Sequence, residues 1–324
     1  KQTWTNDPFR RLRGRPAATP PRGAAPEGVP AGPGEVLFGL PAGLVYLGAG
    51  MTLSATPYLG SSWCSAWASW LILAVDRLDA REQPVKNWII LCGVTFLMLT
   101  MTEPFLVAST LLGASLWLFS GMISCGEPWR TRTTRYILTP AAALAVALVL
   151  ASPYLLALLT HLPESVRSLG FTWQGITVWS LHPLRLLECI APGAFGYPSY
   201  SDHRAFWAPA LTPDKGIPLL LSLYLGTLVL AFAATACARL TRKRLVLVLW
   251  CATMTLLALG RWGPLYPIIK YLPGFDSFRF PIKWLVSAVL PLALLTACGL
   301  SDLARKRSSG RTFAGVLLCG ALVL

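Results

Sequence analysis

The sequence predicts an all-α, polytopic integral-membrane helical bundle of about 8–9 transmembrane helices, with a long outer loop that carries an interfacial helix. Three observations predict it. Of the 324 residues, 54% are hydrophobic and only 13% are charged, against about 25% charged in ordinary soluble domains. Apolar runs recur along the whole chain, and such runs suit a hydrocarbon core of roughly 30 Å. The runs are continuous rather than alternating, which excludes an outer-membrane barrel.

In chain order, residues 1–35 form a segment apart. The stretch PAATPPRGAAPEGVPAGPG has no apolar periodicity, and its Pro/Gly/Ala composition predicts an unstructured segment. A transmembrane domain is expected over 36–324. Its spans fall at about 36–53, 62–76, 87–102, 105–124, 136–160, 216–238, 245–260 and 284–300, with a ninth beginning near 312. Pro41, Pro140, Pro153 and Pro291 lie inside spans; membrane helices tolerate this because neighbours satisfy the freed carbonyls. The chain ends on GVLLCGALVL, inside the ninth run, so a fragment of a longer protein is expected.

The loops alternate in charge. Arg77, Arg81 and Lys86 mark one, Arg130, Arg132 and Arg135 the next, then Arg239, Arg242, Lys243 and Arg244, and last Arg305, Lys306, Arg307 and Arg311. The positive-inside rule places these in the cytoplasm and puts 161–215 and 261–283 outside. The net charge of +14 thus sits mostly in short connecting loops. A nucleic-acid partner would need a basic face with its own fold, and none is visible.

The second outer loop ends in KYLPGFDSFRFPIKW, where cations are not needed for topology. Pro281 suits a first helical turn. Arg279 and Lys283 are four residues apart at a helix N-terminus, a composition fit for a phosphate at the lipid–water boundary. The competing reading is an interfacial anchor, with snorkelling cations and an aromatic belt of Phe278, Phe280 and Trp284. Glu103-Pro104 interrupts a mostly apolar stretch. A carboxylate there is a site candidate, or the tip of an exposed hairpin.

Loop 161–215 is too long for a mere connector. It carries Glu164, Arg167, Phe171, Trp173 and Trp179, then Tyr197, Tyr200, Asp202, His203 and Arg204. Flat rings among single polar groups suit a sugar surface, and equally suit any headgroup interface. Between them, Leu181, Leu184, Leu187 and Ile190 are spaced like an interfacial helix, with Arg185 and Glu188 expected on its wetter side. A divalent metal would find one or two ligands in Asp202-His203, but the three histidines show no short spacing. The eight cysteines are scattered without CxxC spacing and read as small buried residues. No Walker, Rossmann, GxSxG or HExxH pattern is present.

Taken in order, AGLVYLGAGM, CSAWASWLILAVDRL, TEPFLVAST, SPYLLALLTHLPESVRSLGF, APGAFGYPSY, GIPLLLSLYLG and YLPGFDSFRFPIKWLV resemble the bacterial YfhO-like membrane proteins of the GT-C glycosyltransferase class, over about 36–324. The resemblance implies a multi-pass protein of the bacterial plasma membrane. It would take a sugar from a polyprenyl-phosphate donor at the outer face and pass it to an envelope polymer, lipid or protein acceptor. It also implies a main catalytic acid in a first large outer loop ahead of the matched region, which is expected to be missing here. WTNDPFRRLRGRP matches the end of such a loop only at Asp7, Pro8, Gly14 and Pro16. On this reading Arg279, Lys283, Arg167 and Arg204 bind the donor phosphate. Glu103 and Asp202 remain as acid/base candidates for an inverting displacement. The alternatives are a secondary transporter or lipid-linked sugar flippase, whose signature would be internal repeats, and a non-catalytic membrane scaffold.

Overall fold

Local chemistry sets the helix starts in the computed structural model, which describes residues 33–80, 83–100, 103–197, 205–213, 216, 218–272 and 275–305. Nearly all of the segment expected to be unstructured, the ninth span, and Asp202, His203 and Arg204 lie outside the described residues. The longer helices are α1 (Pro33–Gly48), α3 (Leu59–Asp79), α4 (Pro84–Leu99), α5 (Pro104–Ser124), α7 (Thr139–His161), α9 (Thr227–Cys237), α10 (Arg242–Ala258) and α12 (Lys283–Arg305). Short helices α2 (Gly50–Ala55), α6 (Trp129–Thr133), α8 (Trp173–Ile176) and α11 (Tyr266–Ile269) lie between them. Proline opens α4 and α5 and is the second residue of α7, positions where its missing N–H costs nothing. The described residues contain no strand, only isolated bridges.

Among the described residues, three helices are long and apolar enough to cross a membrane: Pro104–Ser124, Lys283–Ala304 and the continuous Trp129–Glu164, which joins α6 and α7 through a π-helical turn. The 16 residues of α4 reach only about 24 Å at 1.5 Å per residue. The 21 residues of α3 are long enough, but Ser61, Ser62, Ser65 and Ser69 dilute its apolar character. The protein is therefore all-helical with membrane-spanning character.

Two of the expected spans are broken, and each break explains the other. Span 36–53 is interrupted at Ala49, which is extended (φ −60°, ψ 133°). Span 216–238 is helical only from Thr227, after Gly226 at φ +96°. The non-helical stretch before Gly226 fits into the gap. Gly50 N donates to Tyr224 O at 2.7 Å, Ser222 N donates to Ser54 Oγ at 2.9 Å, and Ser54 Oγ donates to Ser222 O at 3.2 Å. A Cβ on Gly50 would collide with Ser222 and the Tyr224 carbonyl, so glycine allows the approach. Irregular backbone survives at membrane depth only when its polar groups are paired in this way.

Helix α12 is the centre of the bundle, packed against α9, α10, α1 and α5, and its residues from Trp284 to Leu295 are mostly buried. Small residues set the closest crossings. A Cβ on Gly113 of α5 would enter the Trp250 ring of α10, whose Nε1 donates to Ser109 Oγ at 3.2 Å. Gly299 of α12 lies against the Phe232 carbonyl of α9.

At one end of the bundle, three consecutive residues at the start of α10 each reach a different helix. Arg242 Nη1 donates to Ser124 Oγ at the end of α5 (2.9 Å). Lys243 Nζ lies 2.8 Å from Asp76 and 3.3 Å from Asp79 on α3. Arg244 grips Asp302 on α12 through two bonds of 2.6 and 2.9 Å. Burial opposes the Lys243 ammonium, but Asp76 and Asp79 outweigh it and raise its pKa above the ordinary lysine value. Arg244 is raised chiefly by its hydrogen bond to Asp302.

The described parts of the basic loops, 77–80, 83–86, 125–135, 239–244 and 301–305, thus share one end. Described residues of loops 161–215 and 261–283 meet at the other: Phe171 N donates to Asp276 O at 2.9 Å and Arg261 N to Ser180 Oγ at 3.0 Å, while Leu181 N donates to Ala258 O at 2.9 Å. Single-cysteine variants on a background with the native cysteines replaced by serine should therefore label oppositely in intact cells. Position 167 should react with an impermeant maleimide and position 242 should be protected. The reverse pattern would invert the orientation.

The interfacial element turns out to be a 3-10 helix, Pro183–Cys189, whose charged residues do not lie on the wetter side that was expected, and Leu181 before it is buried. Leu184, Leu187 and Ile190 are exposed, whereas Arg185 and Glu188 are buried. They pair with each other through Arg185 Nε–Glu188 Oε1 (2.9 Å) and Nη2–Oε2 (2.8 Å). The three-residue period of a 3-10 helix puts 185 and 188 on one side. In a membrane protein the side facing other protein segments, rather than lipid, is where paired charges belong.

Candidate functional site

The site candidates gather where α5 and α12 begin, at the end of the bundle opposite the α10 clamp. Glu103 caps α5 without a side-chain bond to the helix's own N–H groups, and Lys283 opens α12. Their side chains meet: Lys283 Nζ lies 2.7 Å from Glu103 Oε1, and the two side chains are 16% and 11% exposed. A carboxylate and an ammonium from opposite parts of the chain thus form a largely buried, charge-assisted pair. Lys283 Nζ also lies 5.5 Å from the Tyr58 ring and 5.8 Å from the Phe280 ring. Tyr58 had no signal in sequence; it lies in an uncharged connection and is recognisable only through this contact.

Arg279 sits one turn ahead of Lys283 on the segment that enters α12. Its guanidinium stacks between two rings, 4.6 Å from Phe171 and 4.8 Å from Phe280. It has no carboxylate partner among the described residues, and its buried Nε has no hydrogen-bond acceptor. Stacking fixes the plane of the guanidinium while leaving its donor edge uncommitted. Arg279 and Lys283 therefore converge on one ring, Phe280, but in different states: Lys283 is neutralised and Arg279 is not.

Phe280 occupies the left-handed region (φ 72°), which is uncommon for a bulky residue and costs about 1–3 kcal/mol. Trp179, at φ 56°, stacks on it at 4.8 Å. Gly260 is the third left-handed residue at this junction (φ 52°), and a Cβ there would meet Ser180 Oγ and Pro281. The strained residues of the two outer loops thus pack together beside Arg279.

The aromatic-belt reading is corrected. Trp284 is buried, edge-on to Phe105 at 5.0 Å, and its Nε1 donates to the Tyr266 hydroxyl at 3.3 Å. Phe278 packs against Phe105 at 5.4 Å and Phe275 at 5.9 Å. These rings hold the KYLPGFDSFRFPIKW stretch onto α5 rather than facing headgroups. Burial also raises the Tyr266 hydroxyl above its ordinary pKa, so it serves here as a neutral hydrogen-bonding group.

Arg167 is exposed on the 3-10 turn Val166–Leu169, and the Phe171–Asp276 bond holds that turn against the Arg279 segment. Asp202 and Arg204 lie outside the described residues, as does the Asp202-His203 pair weighed for a metal. Among the described residues no group of three or more His, Cys, Asp or Glu side chains gathers to hold a metal. Of the six residues singled out in sequence, the structure joins Glu103 to Lys283 directly, places Arg279 and Lys283 near the same Phe280 ring, and leaves Arg167 exposed on a turn tied to the Arg279 segment through Phe171. No protein-family model, curated protein or solved structure matches the chain.

Proposed function

We propose that the chain is a multi-pass membrane glycosyltransferase of GT-C type, with about 8–9 spans in a bacterial plasma membrane, that moves a sugar from a polyprenyl-phosphate donor to an acceptor hydroxyl at the outer face. The observation that carries the reading is a carboxylate–ammonium pair, Glu103 with Lys283 at 2.7 Å, beside a second cation, Arg279, which lies near the same Phe280 ring as Lys283 and has no carboxylate partner among the described residues. Arg279 and Lys283, with Arg167 at the border, bind the donor phosphate. In an inverting transfer the acceptor oxygen bonds to the anomeric carbon as the bond from that carbon to the phosphate oxygen breaks. The carrier phosphate leaves with the electron pair, and Glu103 accepts the hydroxyl proton. Asp202 and Arg204 stay within the proposal as second acid/base and phosphate candidates.

A transporter would use broken helices to expose backbone groups to a substrate cavity. Here the broken helices near Ala49 and Gly226 bond to each other, so the breaks lend that alternative no support.

The test is binding of farnesyl phosphate, a short isoprenyl phosphate, to the purified chain in detergent. One charge-assisted contact contributes about 1.5–3 kcal/mol, so Arg279→Gln should weaken binding about 10- to 100-fold. Arg279→Lys should recover only part, since a point charge replaces a fork. Wild-type affinity in Arg279→Gln would reject the phosphate role and return the residue to a packing role.

A further inference from the structure

We infer that Glu103 is a built-in competitor for the donor phosphate, so that phosphate binding at Lys283 is what releases the Glu103 carboxylate for proton transfer. The inference rests on the phosphate role proposed for Arg279 and Lys283 and adds a coupling between binding and chemistry.

Lys283 is the ion-pair partner of Glu103 among the described residues, through Oε1 at 2.7 Å. Its ammonium is otherwise bounded by the Tyr58 and Phe280 rings, which offer no strong acceptor. The one carboxylate oxygen thus occupies the ammonium's acceptor site. A phosphate bridging toward Arg279 brings more charge and more acceptor oxygens than a carboxylate and satisfies a guanidinium edge that Glu103 leaves unmatched. Exchange is therefore favourable only when both cations are used.

Before exchange, Glu103 Oε1 is occupied by the Lys283 ammonium. After exchange, that oxygen is free to accept the hydrogen bond of an acceptor hydroxyl. A carboxylate that is freed only when the donor is seated withholds proton abstraction from an empty site. Each proton and charge is accounted for: Lys283 stays an ammonium, its partner changes from carboxylate to phosphate, and the acceptor hydroxyl's proton goes to Glu103.

Binding of farnesyl phosphate, with farnesol as the uncharged control, tests this in the full chain. Glu103→Gln removes the competing charge and should bind the phosphate about tenfold more tightly, the worth of one charge-assisted contact, with farnesol unchanged. Lys283→Gln combined with Glu103→Gln should lose that gain. Unchanged or weaker phosphate binding in Glu103→Gln, while Arg279→Gln still weakens it, overturns the competitor role alone. Failure of wild type to prefer farnesyl phosphate over farnesol overturns the phosphate reading itself.

If Glu103→Gln does not fold, infrared difference spectra of the wild type decide. Adding farnesyl phosphate should shift a glutamate carboxylate band that is absent from Glu103→Asp. A spectrum without that shift overturns the inference.

Discussion

Replacing Arg185 with alanine is expected to destabilise the protein by about 3–5 kcal/mol, the usual cost of stranding one member of a buried ion pair. Arg185 is 1% exposed and Glu188 is 7% exposed, so neither can turn to water without opening the loop. The guanidinium also donates to Leu220 O at 3.3 Å and lies 6.0 Å from the Phe206 ring. Its loss therefore frees the non-helical stretch that fills the break between α1 and α2. Cys189 provides a local readout. Burial, more than the neighbouring Glu188, pushes its thiol up to about 12, so it should be nearly inert to maleimide at neutral pH. In Arg185→Ala it should become reactive as the loop opens. Changing both partners, Arg185→Met with Glu188→Leu, should restore most of the stability, because no charge is then left unpaired. Unfolding within about 1 kcal/mol of wild type for the single variant would show that the pair is not holding the loop.

The second large effect is expected at Gly299. Its missing side chain lets α12 approach α9 until a Cβ would overlap the Phe232 carbonyl oxygen and crowd Thr235 Oγ1. Backbone cannot yield as a flexible side chain can, so Gly299→Leu must separate the helices. Close contacts through small residues supply much of helix association in a bilayer, and overpacking costs about 1–3 kcal/mol or more. The expected outcome is a chain that inserts normally but elutes as an expanded or aggregated species from a sizing column in detergent. Gly43 has nothing near its would-be Cβ, and Gly43→Ala is the matching control. A monodisperse Gly299→Leu protein of wild-type stability would mean that α9 and α12 are not packed this closely.

The helical class and the membrane-spanning character were legible because they rest on composition and run length, which are properties of the chain alone. The start of α5 at Pro104 and of α12 near Pro281 could be read from proline chemistry for the same reason. The breaks at Ala49 and Gly226 could not, since each exists only because the other supplies its hydrogen bonds. The charged side of the Pro183–Cys189 helix was expected to meet water and instead meets protein. Spacing identifies which residues share a side, but not whether that side meets water, lipid or protein.

At the site, Arg279, Lys283 and Glu103 each stood out by being charged beside apolar runs. Their relation did not. Glu103 and Lys283 are 180 residues apart, and no local rule ties them. Nor could sequence distinguish the neutralised lysine from the unmatched arginine, although the distinction sets their roles.

The clamp at the start of α10 bears on how the protein is made. Asp76, Asp79 and Ser124 precede Arg242 and Lys243 on the chain, so those two residues find partners already synthesised. Arg244 does not, for Asp302 follows it by 58 residues. At about 5–20 residues per second, the ribosome needs several seconds to supply that carboxylate. During this interval α10 is tethered to α3 and α5 while the groove destined for α12 lies open. The helix that brings Lys283 to Glu103 is thus also the one that completes the far end through Asp302. A nascent chain stopped before residue 302 would lack only the Arg244–Asp302 part of the clamp, while Arg242 and Lys243 could already reach their partners.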